Sequence, residues 1–228
     1  MISAARWPAG TLLGRLPEPI RTELLELGVE VVLPAGQRLL RQDERSDQVY
    51  LLIDGCVRIC RLVDGHEPLL GLHVGGDLVG EVAVLFGQSG SATAITGTRA
   101  VARVIVGARF RSFVHLRPEL LLQITRRIAE RLRWAEERRG ELATLDARAR
   151  ICRVLLALAD SHGRDVASGR DLGVPLTQED IASLTGVRLN TAEKTLRTLS
   201  RDGLVRLGYR RIVVTDHSRL RAVARLDS

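Results

Sequence analysis

The 228-residue chain is short of several things. Aromatic residues make up only 3% of it, which leaves few stacking platforms for single-stranded nucleic acid. The three cysteines, Cys56, Cys60 and Cys152, are too few and odd in number for a disulfide framework, and they point to a reducing, cytoplasmic compartment. No apolar run approaches the length of a membrane span, and the opening MISAARWPAG has no apolar signal core. Neither a membrane partner nor a secretory leader is expected. No His/Cys cluster has metal-ligand spacing, no nucleophile stands beside a base, and no phosphate loop ends in Lys-Ser/Thr. Metal, cofactor and enzymatic activity are therefore not expected. Lysine is almost missing too: Lys194 is the only one, and arginine carries the rest of the positive charge.

What is present is apolar and basic. Hydrophobic residues are 45% and charged residues 27%, the balance of a globular chain. Arg and Lys number 34 against 27 Asp and Glu, a net charge of +7. From Ala147 onward the count is 15 against 9, so nearly all the excess lies in the last third. A concentrated excess of this kind implies a polyanionic partner.

That last third contains LTQEDIASLTGVRLNTAEKTLRTLSR, residues 176–201. It reads as two short helices around a turn at Gly186. Ile181, Ala182 and Leu184 are apolar on the first, and Leu189, Ala192, Leu196 and Leu199 on the second. Asn190, Lys194, Arg197 and Arg201 fall on the opposite stripe of the second helix. One face is built to pack; the other offers the donors that a helix in the DNA major groove needs. Thr177 opens the first helix, followed by Gln178, with Glu179 and Asp180 in its first turn. Arg188 is a poor N-cap, whereas Asn190 with Glu193 makes a better capping pair, so the second helix is expected to begin two residues late. After Gly203, LVRLGYRRIVV reads as a hairpin around Gly208-Tyr209, a wing whose Arg206, Arg210 and Arg211 reach flanking phosphates. A short helix, HSRLRAVARL, closes the chain.

Upstream, residues 10–28 have apolar residues at helical steps. Residues 29–107 have short β-branched and leucine runs broken by PAG, DERSD, DG and repeated glycines, the pattern of one antiparallel β unit. Residues 118–145 read as a long helix opened by Pro118. Leu121, Ile128, Ala135 and Leu142 stand seven apart, and Ile124, Leu132 and Leu145 widen the stripe, which makes a seam facing a second copy of the chain sooner than one packed only on its own β domain. Gly140 marks a bend or a close approach. Asp146 is placed to cap a following helix that ends at Gly163, and RDVASGRDLG reads as a polar loop.

In this order, LPAGQRLLRQDERSDQVYLLIDGCVRI, GDLVGEVAVLFG, the long helix running into GELATLDARARI, and the winged helix-turn-helix resemble the Crp/Fnr superfamily of transcription regulators, relatives of the cyclic-AMP receptor protein. The resemblance covers nearly the whole chain. It implies an α+β fold: an N-terminal antiparallel β-roll of the cyclic-nucleotide-binding kind over 1–117, a dimerisation helix over 118–145, and a C-terminal winged helix-turn-helix over 146–228. It implies a homodimer on a near-palindromic double-stranded DNA operator, with RNA polymerase a candidate partner. The DNA contacts it implies are Thr177, Gln178, Arg188, Leu189, Asn190, Thr191, Lys194, Arg197, Arg210 and Arg211. The dimer seam is Leu121, Ile124, Ile128, Leu132, Ala135 and Leu142. The effector pocket is Gly80, Glu81, Ser91, Ala135 and Glu136.

The pocket departs from the family pattern. Gly80 and Glu81 match the Gly-Glu that takes a ribose hydroxyl. The arginine expected about ten residues on is replaced by Gly90 or Ser91, and no arginine occurs between Arg61 and Arg99. Ala135 and Glu136 stand where cyclic-AMP binders place threonine and serine. Cyclic AMP is thus disfavoured as effector, no cofactor is assigned, and Glu81 becomes a structural residue that caps nearby amides. An iron–sulfur sensor would need a fourth cysteine. Cys56 and Cys60 read as two small buried residues sooner than a redox pair, and His73 as a satisfied core histidine sooner than a haem ligand. The recognition residues also depart: Leu189 replaces a guanine-reading arginine, Asn190 a cytosine-reading glutamate, and Lys194 an arginine, while Thr191 is retained. The reading is a homodimeric DNA-binding regulator that does not take cyclic AMP in the usual way. The alternative is a ligand sensor acting through protein partners with little specific DNA binding.

Overall fold

The computed structural model describes residues 7–226. They form two compact units that divide between Glu130 and Arg131. The first opens with two short helices, α1 (Leu12–Arg15) and α2 (Glu18–Glu26). The Thr11 hydroxyl caps α1 by accepting from the Gly14 amide, and Pro17 separates the two. Eight strands follow: β1 (Val29–Leu33), β2 (Arg38–Leu40), β3 (Gln48–Asp54), β4 (Cys56–Cys60), β5 (Leu69–Val74), β6 (Leu78–Val79), β7 (Thr93–Thr96) and β8 (Ala100–Val106). They build two antiparallel four-stranded sheets, β1-β8-β3-β6 and β2-β7-β4-β5.

Alternation along β3 explains how these layers pack. Tyr50 and Leu52 face the second sheet and join Leu33, Val57, Val79 and Ala94 in the interior of the roll. Val49, Leu51 and Ile53 face the other way and meet Leu13, Leu24, Phe110, Val114, Leu120 and Ile124 on helices. A strand buried on both faces reads as a continuous apolar run, which VYLLI is.

The β unit is not strand throughout. GEVAVLFG, expected within it, holds a helix, α3 (Glu81–Phe86), between two left-handed glycines, Gly80 (φ 91°) and Gly87 (φ 65°). A Cβ on Gly80 would stand 2.9 Å from the Gln48 carbonyl and the same distance from Leu40. The apolar spacing of this segment suits either state; the glycine-bracketed turns decide.

From β8 the chain enters α4 (Gly107–His115) and the 27-residue α5 (Pro118–Thr144). One expectation for α5 needs correction. Ile124, assigned to a partner-facing seam, is 2% exposed within the core of its own unit, and Ile128 packs against that core. Leu121, Leu132, Ala135 and Leu142 are exposed. The seven-residue spacing does not say which apolar positions the sheet-covering helices will claim first. Gly140 makes no close approach, since an added Cβ there meets nothing within 4 Å, and α5 runs through it unbroken. A charge chain ties the start of α5 to the roll. Asp77, 1% exposed, accepts from Arg127 at 3.1 Å and from the Val74 amide at 3.3 Å. Arg127 also donates to Glu130, which takes Arg15 of α1 on its other oxygen.

The second unit contains α6 (Ala147–His162), β9 (Arg164–Val166), β10 (Gly169–Asp171), α7 (Gln178–Thr185), α8 (Leu189–Arg201), β11 (Val205–Gly208), β12 (Arg211–Val214) and α9 (His217–Val223). Asp146 caps α6 by accepting from the Ala149 amide at 2.8 Å. The polar stretch expected as a loop is the hairpin β9–β10. It joins a sheet of order β11-β12-β10-β9 because β12 offers β10 its free edge. Nothing in RDVASGRDLG alternates; the pairing is tertiary.

Candidate nucleic-acid interface and sensor pocket

The helix-turn-helix is fixed by local chemistry. The Thr177 side chain accepts from the Asp180 amide at 3.1 Å, and the Asp180 carboxylate accepts from the Thr177 amide at 2.8 Å. This reciprocal cap starts α7 and leaves Gln178 exposed. Gly186 ends α7 at φ 63°, where a Cβ would also lie 2.8 Å from Leu142.

α8 begins at Leu189, not two residues later. Arg188 caps it without a side-chain bond, and its carbonyl accepts from Thr191 at 2.9 Å and Ala192 at 3.1 Å. Burial of Ala192, Leu196 and Leu199 sets the phase of the helix, so a weak cap is tolerated. The Asn190 amide is therefore not spent on capping, and it makes no hydrogen bond to the other described residues. Leu189, Asn190, Thr191, Lys194, Arg197 and Arg201 are on the solvent side of the helix, Leu189 at 43% exposure.

Several arginines elsewhere in this unit are ion-paired, and those of this face are not. Arg148 pairs with Asp202, Arg153 with Glu141, Arg170 with Asp165, and Arg219 with Asp216. Among the described residues, Arg188, Lys194, Arg197, Arg201, Arg206 and Arg210 have no such partner. Six unpaired cations thus lie on α8, its cap and the wing.

The wing also differs from expectation. Its two-residue turn is Tyr209-Arg210, closed by the pair Gly208–Arg211. The left-handed residue is Arg210 (φ 51°), not Gly208. Arg211, expected on phosphate, pairs with Asp171 of β10, and Asp171 also accepts from the Gly173 amide at 2.7 Å. The Leu176 amide donates to the Arg210 carbonyl at 3.2 Å, so the wing tip sits beside the start of α7. Asp171 and this backbone bond were not found from sequence; the polar segment holding Asp171 gave no sign of pairing with the wing.

In the first unit, Gly80 and Glu81 open α3, with Glu81 4% exposed. Ser91 is exposed. Gly90 is pinned, donating to the Glu44 carbonyl at 3.0 Å and accepting from Asp43 at 2.7 Å. Two arginines elsewhere in this unit are already engaged: Arg103 donates to the Leu27 carbonyl at 2.9 Å, and Arg111 to the Val84 carbonyl at 3.2 Å. Ala135 and Glu136 belong to the second unit, both exposed on α5.

Other candidates resolve plainly. Ring nitrogen Nδ1 of His73 lies 2.7 Å from the Leu78 carbonyl, so the histidine has a core partner. Cys56 and Cys60 are buried at the two ends of β4. Four strand residues span about 13 Å, beyond the roughly 7 Å that a disulfide bridges. Burial pushes the Cys152 thiol up to about 12, which leaves it unreactive at neutral pH.

Two family models match the chain: a cyclic nucleotide-binding domain over residues 30–116 and a Crp-like helix-turn-helix domain over residues 149–223. A CRP-like cAMP-activated global transcriptional regulator of Mycobacterium tuberculosis is 32% identical over 220 residues, covering 95% of this chain and 97% of that protein. A CRP-family transcriptional regulator from Thermus thermophilus is 28% identical with a TM-score of 0.69, covering 85% of this chain and 96% of that structure. FixK2 from Bradyrhizobium japonicum, 23% identical, shares the fold at a TM-score of 0.74 over 86% of this chain and 97% of its own. With both domains matched in order and a relative of this identity along nearly its whole length, the chain belongs to the Crp/Fnr family of transcription regulators.

Proposed function

We propose that the chain acts as a homodimer on near-palindromic duplex DNA, reading bases with α8 and gripping phosphates with the wing and the start of α7. The observation that carries this reading is the set of unpaired cations. Arg188, Lys194, Arg197, Arg206 and Arg210 share α8 and the wing without an ion pair among the described residues, while Arg148, Arg153, Arg170, Arg211 and Arg219 of the same unit are paired. A polyanion would neutralise them and release its counterions. Leu189, Asn190 and Lys194 are the base-reading residues, and Thr177, Gln178, Thr191 and Arg210 the phosphate contacts. Arg211 positions the wing through Asp171. The domain plan is a sensor over 1–117, a dimer helix over 118–145, and a DNA-binding domain over 146–228.

The sensor does not take cyclic AMP in the usual way. The missing arginine supports this, since a charge-assisted bond of that kind contributes about 1.5–3 kcal/mol. The exposed Glu136 adds a second carboxylate to the residues assigned to the pocket.

Selection of binding sites from random duplex DNA tests the DNA reading. The expected result is a two-fold-symmetric site with strongly salt-dependent affinity and a half-site unlike the family's usual one. Failure to enrich any sequence, or weak binding without salt dependence, would overturn it.

A further inference from the structure

The wing ends in Tyr209, which is 95% exposed. The chain has seven aromatic residues, and Trp7, Tyr50 and Phe110 are buried. An aromatic ring held fully in water at a hairpin tip packs against nothing in its own unit.

The tip that carries it is held in place. Tyr209 and Arg210 are the only residues between the paired Gly208 and Arg211. The Arg210 carbonyl accepts from the Leu176 amide at 3.2 Å, next to the cap of α7. The base of the hairpin is braced by the pair between Arg211 and Asp171. Arg210 follows Tyr209 in the turn and Arg206 lies on β11 of the same hairpin, both exposed and without an ion pair among the described residues. An apolar and hydroxyl-bearing side chain on a held hairpin tip, with two unpaired guanidinium groups on the same hairpin, matches a surface that alternates apolar sugar with anionic phosphate.

We propose that Tyr209 is a further DNA-contacting residue: its ring packs on a deoxyribose of the backbone flanking the half-site, and its hydroxyl donates to a neighbouring phosphate. This rests on the DNA-binding function proposed above. Being neutral, Tyr209 displaces no counterion, so its contribution is insensitive to salt. Arg210 contributes through charge, and its contribution is salt-sensitive.

The test uses the full chain and a duplex selected from random DNA, in two lengths: one ending at the half-sites, one extended by about 10 base pairs on each side. Tyr209→Ala is expected to weaken binding to the extended duplex about tenfold, the value of one hydrogen bond plus ring packing. It leaves the short duplex and the salt slope unchanged. Tyr209→Phe keeps the ring and loses about threefold. Lys194→Ala weakens both duplexes and separates the two claims. If Lys194→Ala weakens binding but Tyr209→Ala matches the parent on both duplexes, this inference fails alone. Equal loss on both lengths overturns the flanking assignment. If the parent protein binds no duplex, the proposed function fails and this inference with it. An unchanged thermal midpoint of each variant excludes a folding effect.

Discussion

Single side chains divide here into those spent on the fold and those left over. Asn190 and Arg210 are left over, and the proposed DNA complex gives them different ends. Asn190→Ala is expected to relax base preference at one position by roughly 1–3 kcal/mol, while Arg210→Ala weakens all sequences alike and lowers the salt slope by about one. Affinities on selected and scrambled duplexes across a salt series check both. Asp77 is fully spent, since its carboxylate is buried against Arg127. Asp77→Ala leaves that guanidinium with Glu130 alone and should cost about 1–3 kcal/mol of stability, read as a lower denaturant midpoint. Glu130 adds a pH dependence to the same chain. Burial alone would raise its carboxyl, but hydrogen bonds from Arg15 and Arg127 outweigh this and hold it below its ordinary 4.5. A carboxyl depressed in the fold contributes stability in full above its ordinary value and loses it as pH falls through the lowered one. Acid denaturation of Arg15→Gln should therefore start from a lower plateau and show a shallower loss below about pH 4.5.

At the scale of elements, the proposed dimer gives α5 two roles on one apolar stripe. Ile124 is buried with Leu120 in the core of the first unit, whereas Leu132 is 59% and Leu142 53% exposed. The two roles predict different failures. Ile124→Ala should lower stability by about 3 kcal/mol by leaving a cavity, with association unchanged. Leu132→Asp should leave the fold intact and shift the protein toward monomer, seen by sedimentation. Dimerisation lost in the first variant and kept in the second would reverse the assignment. α8 shows the same competition: its start at Leu189 ignores the better capping pair at Asn190 and Glu193. Burying Ala192, Leu196 and Leu199 outweighs a cap that is worth only about 1 kcal/mol.

For the whole molecule, the prediction concerns the sensor. Titration calorimetry with cyclic AMP should show no tight, stoichiometric binding to the parent chain. Ser91→Arg, at an exposed position, should raise the affinity tenfold or more by restoring a charge-assisted bond. The same change at Gly90 is a poorer test, because a Cβ there lies 2.9 Å from the Arg41 carbonyl. Tight binding by the parent would refute the reading.

Much was legible in the residues themselves because it rests on local rules. Apolar spacing sets α5, α6 and the two helices of the helix-turn-helix, Thr177 and Asp146 start helices by capping, and Gly186 ends one by taking a left-handed backbone. Concentrated positive charge identifies the basic end of the chain. Contacts between distant segments were not legible, because no local pattern encodes them. Only the tertiary structure buried Ile124, paired Arg211 with Asp171, and turned RDVASGRDLG into a hairpin on the edge of β12. In each case the deciding energy is burial or pairing with a partner far away in sequence.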